Sequence, residues 1–512
     1  MRVHVTSSSV TTTKARTSRE TPYPSSSDGP QERQRWPARL WGILIVLSLV
    51  LFLDGLDVSM VGVALPSIGA ELGLGTSSLQ WIVSGYVLGY GGLLLLGGRT
   101  ADLLGRRRVF LIALAVFAVA SLVGGLVDSG PLLIATRFIK GVSAAFTAPT
   151  GLSIITTTFA EGKARNKALS IYTVFGASGY SSGLIFGGLM TGIGWRWTFL
   201  MPVPIAVAAL VAAYLLIPRD KPAASGGYDI LGAVTSTGAM LLLVYNLVSA
   251  PERGWLDPVT IGLFVVAAAL LAAFVLVEQR IAHPLVRLGI LRKTSLVRAN
   301  VAIIALFGSY LSFQFIVTLY LQDVLGWEPL KMAMALLPLG LLVVVSAPFA
   351  GTVMDRFGTA RFIIAGMAAL VVGYVLFLPI DTSPVYLTAI LPSVLLLGVG
   401  FALGFPSINV QATAGIDDHE QGLAAGLVQT SGQVGAALVL AVTTALIATE
   451  APAEGGAPVP EAMLDAFRPG LVFITFVALA GLTITLVPLL RRRSAGAHRA
   501  EAVPVAAAAD EV

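Results

Sequence analysis

Cysteine is absent, so neither a disulfide framework nor thiol chemistry is available to this chain. Only four histidines occur, and none has metal-ligand spacing. Charge is scarce too: Asp, Glu, Lys and Arg make up 12% of 512 residues, against roughly 25% in a soluble domain. The phosphate-cradling pattern GxxxxGK followed by Ser or Thr is missing, which argues against an ATP-driven machine. What fills the chain is apolar: 56% hydrophobic residues and a mean hydropathy of +0.84. Globular domains cannot hide that much apolar surface, so the chain reads as an all-α polytopic membrane protein. The formal charge of +5 does not signal a nucleic-acid partner, because the basic residues flank apolar segments. No metal, no cofactor and no enzymatic activity are expected.

A span needs about 20 apolar residues. Candidates lie near 40–66, 81–98, 109–127, 131–159, 168–190, 198–217, 229–249, 258–278, 297–320, 331–352, 362–380, 385–410, 422–448 and 470–490. Cytoplasmic connections carry an excess of Lys and Arg. Alternate connections hold Arg99 and Arg106 to Arg108; Lys163, Arg165 and Lys167; Arg219 and Lys221; Arg280, Arg287, Arg292, Lys293 and Arg298; and Arg356 and Arg361. The opposite connections hold only Arg196, Arg253, Lys331 and Arg468. Both termini are therefore expected in the cytoplasm, which requires an even number of spans. The acidic stretch Asp417 to Glu420 runs against this trend, but acids contribute little to orientation.

An internal repeat groups the spans. "GRTADLLGRRR" (98–108) and "GTVMDRFGTAR" (351–361) share the pattern G-x3-D-x2-G-x2-R. The first carries Gly98, Asp102, Gly105, Arg106, Arg107 and Arg108; the second carries Gly351, Asp355, Arg356, Gly358 and Arg361. Each follows a second helix if the plan is 6 + 2 + 6: a Ser/Thr-rich disordered tail (1–38), a six-helix bundle (39–218), a linker with two inserted helices (219–296), a second bundle (297–490) and a tail (491–512). Two such halves form a secondary-transporter architecture. In each loop, glycine allows a tight reversal, and the charged groups suit a polar latch that breaks as the halves rock. The arginines also suit lipid headgroups.

The stretch "FLDGLDVSM" (52–60) places Asp54 and Asp57 inside an apolar run. A charge near a bilayer centre costs about 2.5–3.5 kcal/mol on insertion scales, which marks a functional site. At the helical rise, Asp57 lies roughly 13 Å below the end of its span at Pro66. Arg137 and Lys140, in the fourth span, lie roughly 9 and 14 Å deep from the same side. The acids are three residues apart on one helical face, as are the bases. These four residues are expected to form a compensated cluster, neutral when all ionise. Other polar or aromatic residues inside spans, Gln314, Asn409, Gln429, Gln433, Tyr310 and Phe313, are candidates for lining a central cavity or for bonding neighbouring helices.

The loop pattern is similar to motif A of the major facilitator superfamily. "LDVSMVGVALP" (56–66) resembles the first-helix signature of its fourteen-span drug:proton antiporters, and "RFIKG" (137–141) resembles the fourth-helix motif. "GYSSGLIFGG" (179–188) resembles the fifth-helix antiporter motif through Gly179, Gly183, Gly187 and Gly188, and "WRWTFLMPVP" (195–204) fits the segment after it. The resemblance covers residues 40 to 490. Gly62 stands where Asn is usual, Leu184 where Pro is usual, and Leu103 where a basic residue is usual. Lys140 replaces a common Gln, and Asp54 lies outside the signature. The resemblance implies a major facilitator fold, a multi-pass protein of the cytoplasmic membrane and export of drugs or antibiotics, the coupling ion being a proton. Such a carrier meets an amphipathic small molecule and membrane lipid, and would lodge its proton on Asp57, loosening Arg137 and the substrate. Leu184 leaves a proton symporter or importer open, and a non-transporting sensor or lipid-handling protein is a further alternative. Oligomeric state is not readable.

Overall fold

The computed structural model describes residues 36–160, 163–219, 229–281, 288–416, 421–449 and 460–501. Among them there is no strand. In hydrocarbon every backbone N–H and C=O must find its partner within the chain, and runs of Leu, Ala, Val and Ile do so as long helices. These are α1 (Ala38–Leu72), α2 (Thr76–Leu104), α3 (Arg106–Leu126), α4 (Gly130–Thr158), α5 (Lys163–Ile193), α6 (Trp197–Leu200), α7 (Pro202–Leu216), α8 (Ile230–Arg253), α9 (Pro258–Glu278), α10 (Thr294–Leu319), α11 (Pro329–Phe357), α12 (Thr359–Phe377), α13 (Leu391–Thr413), α14 (Gln421–Thr449) and α15 (Pro460–Glu501).

Counting α6 with α7 leaves fourteen rods. Twelve of the described segments are long and apolar enough to cross a membrane. The other two, α2 and α5, have 29 and 31 residues, enough at the helical rise to cross about 30 Å of hydrocarbon, although Gly, Ser and Thr dilute their hydropathy. Expected spans and observed helices correspond one to one. The last helix is longer than the sequence reading, starting at Pro460 and running to Glu501 through what reads as a tail. Most of the N-terminal tail and the acidic stretch Asp417 to Glu420 lie outside the described residues.

The helices pack as two related halves. In the first, α1 lies along α5, and α4 packs on α2 and α3. In the second, α10 lies along α14, and α13 packs on α11 and α12. The halves meet along two seams, α2 with α14 and α5 with α11, so the second helix of each half meets the fifth helix of the other. That exchange is what a pseudo-twofold along the membrane normal produces. Both repeat loops make the same turn: Gly105 (φ 93°, ψ 126°) separates α2 from α3, and Gly358 (φ 82°, ψ 141°) separates α11 from α12. A positive φ at this point is open to glycine at little cost.

The inserted pair attaches at one seam. The α8 helix packs on both α2 and α14, through a small apolar core of Val87, Leu88, Val244, Val248, Ala436 and Ala437. The α9 helix packs on α8, with Asn246 donating its Nδ2–H to the Thr260 carbonyl (2.8 Å), and turns most of its other side chains outward.

Two faces can be told apart by their turns, one carrying the α1–α2 turn and the other the α2–α3 turn. Near the first, the halves are fastened together. Gln322 Nε2 donates to the Val63 carbonyl (2.8 Å), and Gly188 abuts Leu330 at the start of α11. On the same face Arg196 donates to both Glu71 and Asp128, and Trp195 Nε1 donates to Glu71 (2.9 Å), tying three turns of the first half.

Candidate functional site

The first half carries its buried charge between α1 and α4. The two helices cross at a depth that brings Asp57 between Arg137 and Lys140. Both cations donate to Asp57, Arg137 through Nη1 to one oxygen and Lys140 through Nζ to the other, and all three side chains are at most 2% exposed. Each cation has further support. Arg137 Nε donates to the Ile82 carbonyl on α2 (3.2 Å), and its guanidinium lies 4.8 Å from the Tyr86 ring. Lys140 Nζ lies 4.8 Å from the Phe117 ring and 5.2 Å from that of Phe199. Aromatic faces partly replace the water such a cation loses, by up to about 2 kcal/mol when desolvated.

Asp54, one turn away on α1, joins the cluster in another way. It accepts a hydrogen bond from Thr147 Oγ1 on α4 (3.2 Å), and no described Lys or Arg lies within ion-pair distance of it. The four residues are together, as their depths predict, but the pairing is not two acids with two bases. Asp57 holds both cations and Asp54 holds a hydroxyl. Phe117, Phe199 and Thr147 were missed in the sequence. A signal for Thr147 existed, since Arg137, Lys140, Ala144 and Thr147 recur on one helical face.

A small cavity opens beside Arg137, bounded by Val58, Gly62, Tyr86, Leu311 and Gln314. Its 30 Å³ holds about two waters, and a drug-sized ligand needs roughly 300–1,000 Å³. With the α1–α2 face fastened, the space beside Arg137 is too small for a drug-sized molecule. A second cavity, of 20 Å³, lies on the other half's side, among Tyr180, Leu184, Tyr310, Phe313 and Gln314. Gln314 belongs to both, and its Oε1 accepts from the Tyr180 hydroxyl across the halves. A Cβ built on Gly62 would lie 3.8 Å from Gln314 Nε2, so the Asn usual at this position would reach into the first cavity.

The remaining sequence candidates divide. Tyr310 and Phe313 line the second cavity. Gln433 is instead at the α2–α14 seam, where its Cβ covers Gly91. Asn409 donates to the Phe405 carbonyl of its own helix (2.8 Å). Gln429 lies on α14, four residues from Gln433. The glycines of α5 face α1: a Cβ at Gly179 or Gly183 would collide with the backbone at Phe52 or Leu56, and one at Gly187 with that at Met60, while Gly188 faces Leu330. Leu184 is 1% exposed, and α5 runs unbroken from Lys163 to Ile193. The loop motifs sit at the α2–α3 face, away from the cluster. There Arg107 donates to the Tyr214 carbonyl at the end of α7 (2.6 Å) and lies over that ring. Arg106, Arg108, Arg356 and Arg361 lie beside these turns at the same face. The surroundings of Gly98 and Gly351 and the side chains of Asp102 and Asp355 fall outside what is described.

The Tyr180–Gln314 bond gives a first testable expectation. Gln314→Leu removes it, and a hydrogen bond is worth about 0.5–1.5 kcal/mol, so the closed arrangement loses roughly 2- to 10-fold in population. Because the chain lacks cysteine, Val63→Cys provides a single buried thiol at the closed face. A membrane-impermeant maleimide will label it faster in the Gln314→Leu background, and equal rates would refute a gating role for this bond.

Comparison with known proteins agrees with the architecture. The sequence profile of the Major Facilitator Superfamily matches residues 47–440. Similar proteins include the puromycin resistance protein pur8 of Streptomyces alboniger, 36% identical over 464 residues, covering 88% of this chain and 90% of that one. The cephamycin export protein CmcT of Amycolatopsis lactamdurans is 35% identical over 460 residues, covering 88% and 94%. Among solved structures, the nucleoside transporter NupG superposes with a TM-score of 0.63 at 12% identity over 87% of this chain and 99% of that one. The POT family transporter PepTSo gives 0.63 at 18% identity, covering 89% and 99%. At such identities the structural likeness concerns the fold alone.

Proposed function

Because the chain belongs to the Major Facilitator Superfamily, we propose that it exports drugs or antibiotics across the cytoplasmic membrane in exchange for protons. The observation that carries this reading is the buried Asp57–Arg137–Lys140 cluster beside a closed cavity at the meeting of the halves. The names of the relatives, a resistance protein and an export protein, support the direction and the kind of cargo. The Lys/Arg-rich α2–α3 face is the cytoplasmic one, with both termini on that side, so the fastened α1–α2 face is the external gate.

Transport follows from two exclusive arrangements of the halves. Rocking about the α2–α14 and α5–α11 seams opens one face as it closes the other. With the inner face open, an amphipathic compound enters from the cytoplasm or inner leaflet and lodges between Arg137, Tyr86 and the wall around Gln314. With the outer face open, a proton taken up at the cluster changes the charge beside the cargo and favours its departure. The return carries the proton inward. Leu184, where the family's usual residue is Pro, lies buried in an unbroken α5 that still packs against α11.

Cells lacking other pumps will grow at higher concentrations of at least one compound in a panel containing puromycin, lincomycin and ethidium when they carry this gene. In proteoliposomes an acidic lumen will drive accumulation of that compound, and a protonophore will abolish it. Accumulation driven instead by an alkaline lumen, so that proton and substrate move together, would replace export by symport on the same fold.

A further inference from the structure

Two buried carboxyl groups share α1, and their surroundings differ in kind. Asp57 is held by two cations through both of its oxygens. Protonating it would break both buried ion pairs and leave Arg137 and Lys140 at close quarters with no anion in contact, a costly state. Asp54 is 8% exposed and has one neutral partner, Thr147. With Asp54 ionised the four side chains sum to zero; with Asp54 protonated they sum to +1, with no ion pair broken.

Thr147 can serve both states. Its hydroxyl lies 3.2 Å from Asp54 Oδ2 and 3.3 Å from the Ala144 carbonyl of its own helix. When Asp54 is a carboxylate, the hydroxyl donates to it. When Asp54 is a carboxylic acid, the acid donates to Thr147 Oγ1 and the hydroxyl hydrogen turns to Ala144. A hydroxyl rotates freely and offers one donor and two acceptor sites, so both arrangements leave the buried groups satisfied. The other titratable groups around Asp54 are Asp57 on α1, Arg137 and Lys140 on α4, Tyr86 and Tyr90 on α2, and Tyr172 on α5. Of the four charged groups among these, Asp54 is the one whose change of charge leaves the Asp57–Arg137 and Asp57–Lys140 pairs intact.

We propose that Asp54, and not the signature Asp57, is the group that gains and loses the coupled proton, with Thr147 as its positioning residue. The step is a transfer from hydronium to a carboxylate oxygen of Asp54, giving the neutral acid and water, and its reverse on the other side. Asp57 stays ionised throughout and anchors Arg137 at the cavity wall. The charge felt at that wall then changes from zero to +1, which expels a cationic substrate and gives exchange without rupture of the buried ion pairs. This inference rests on the antiport reading.

Infrared difference spectra of the protein in lipid bilayers, taken across pH steps in water and heavy water, test it with the proton itself as the probe. The wild type will show a protonated-carboxyl band that shifts in heavy water. Asp54→Asn will lose the band, and the double variant Asp57→Asn/Lys140→Gln, which removes one acid together with one base, will retain it. Thr147→Val will move the band and Thr147→Ser will leave it in place, a readout that a merely structural threonine would not give. A band that survives Asp54→Asn and vanishes in the double variant assigns the proton to Asp57 and overturns the proposal, as does the absence of any band in the wild type. In proteoliposomes Asp54→Asn will reduce pH-driven accumulation to the level of empty vesicles while exchange of labelled for unlabelled substrate continues. Retained pH-driven transport in Asp54→Asn sinks the assignment alone; a wild type indifferent to pH sinks the antiport reading, with the spectra still deciding where the proton binds.

Discussion

Asp57→Asn will destabilise the purified protein by several kcal/mol and abolish transport. The single change leaves Arg137 and Lys140 in the bundle interior without an anion in contact, and removing one partner of a buried pair costs about 3–5 kcal/mol. Two cations lose their partner here, and the rings of Tyr86, Phe117 and Phe199 offset only part of that loss. Adding Lys140→Gln removes one of the stranded charges, so the double variant will be more stable than Asp57→Asn, with a coupling energy of roughly 0.5–3 kcal/mol. Asp54→Asn, which replaces an acid holding a single hydroxyl, will melt close to the wild type. Thermal unfolding in detergent, read with efflux in cells, distinguishes the four proteins. Equal melting of Asp57→Asn and Asp54→Asn would mean that the cluster does not hold α1 against α4.

Gly183→Leu will have an effect of similar size from a different cause. A Cβ at this position meets the Leu56 carbonyl oxygen at 2.5 Å and the side chain of Ser59, one residue before and two after Asp57. No rotamer relieves a collision with backbone, so α1 and α5 must separate. Overpacking costs about 1–3 kcal/mol, occasionally more, and here it displaces the segment that presents Asp57 to α4. Gly183→Ala will show a partial loss and Gly183→Leu a complete one. Gly192, on the same helix with nothing within 4 Å of an added Cβ, is the control, and Gly192→Ala will transport normally. Should Gly183→Leu export as well as the control, close contact between α1 and α5 is not required.

Much of the fold is legible in the chain because the membrane imposes a simple rule. A segment of about 20 apolar residues has one structure available to it, and its ends are marked by charge or by glycine. The repeat around Gly105 and Gly358 likewise announces two equivalent halves, since a turn that needs positive φ leaves a residue signature. The long α15 was less legible because its start at Pro460 and its end near Glu501 are polar and bear none of the apolar pattern by which spans are recognised.

For the site, the sequence alone determined which charged residues are buried and at what depth: helical rise places Asp57 at a depth comparable to Arg137 and Lys140 and Asp54 a turn lower, and bilayer energetics require that they meet. Only the tertiary structure decided who pairs with whom. The axial position of a residue follows from counting, but the rotation and crossing of α1 on α4 depend on how Gly179, Gly183 and Gly187 seat α1 against α5. Lys140 and Thr147 lie on one face of α4, seven residues or about 10 Å apart along its axis, and the tilt of α4 across α1 decides which of them Asp54 meets. That contact is settled by packing between helices far apart in the chain, and no local pattern encodes it.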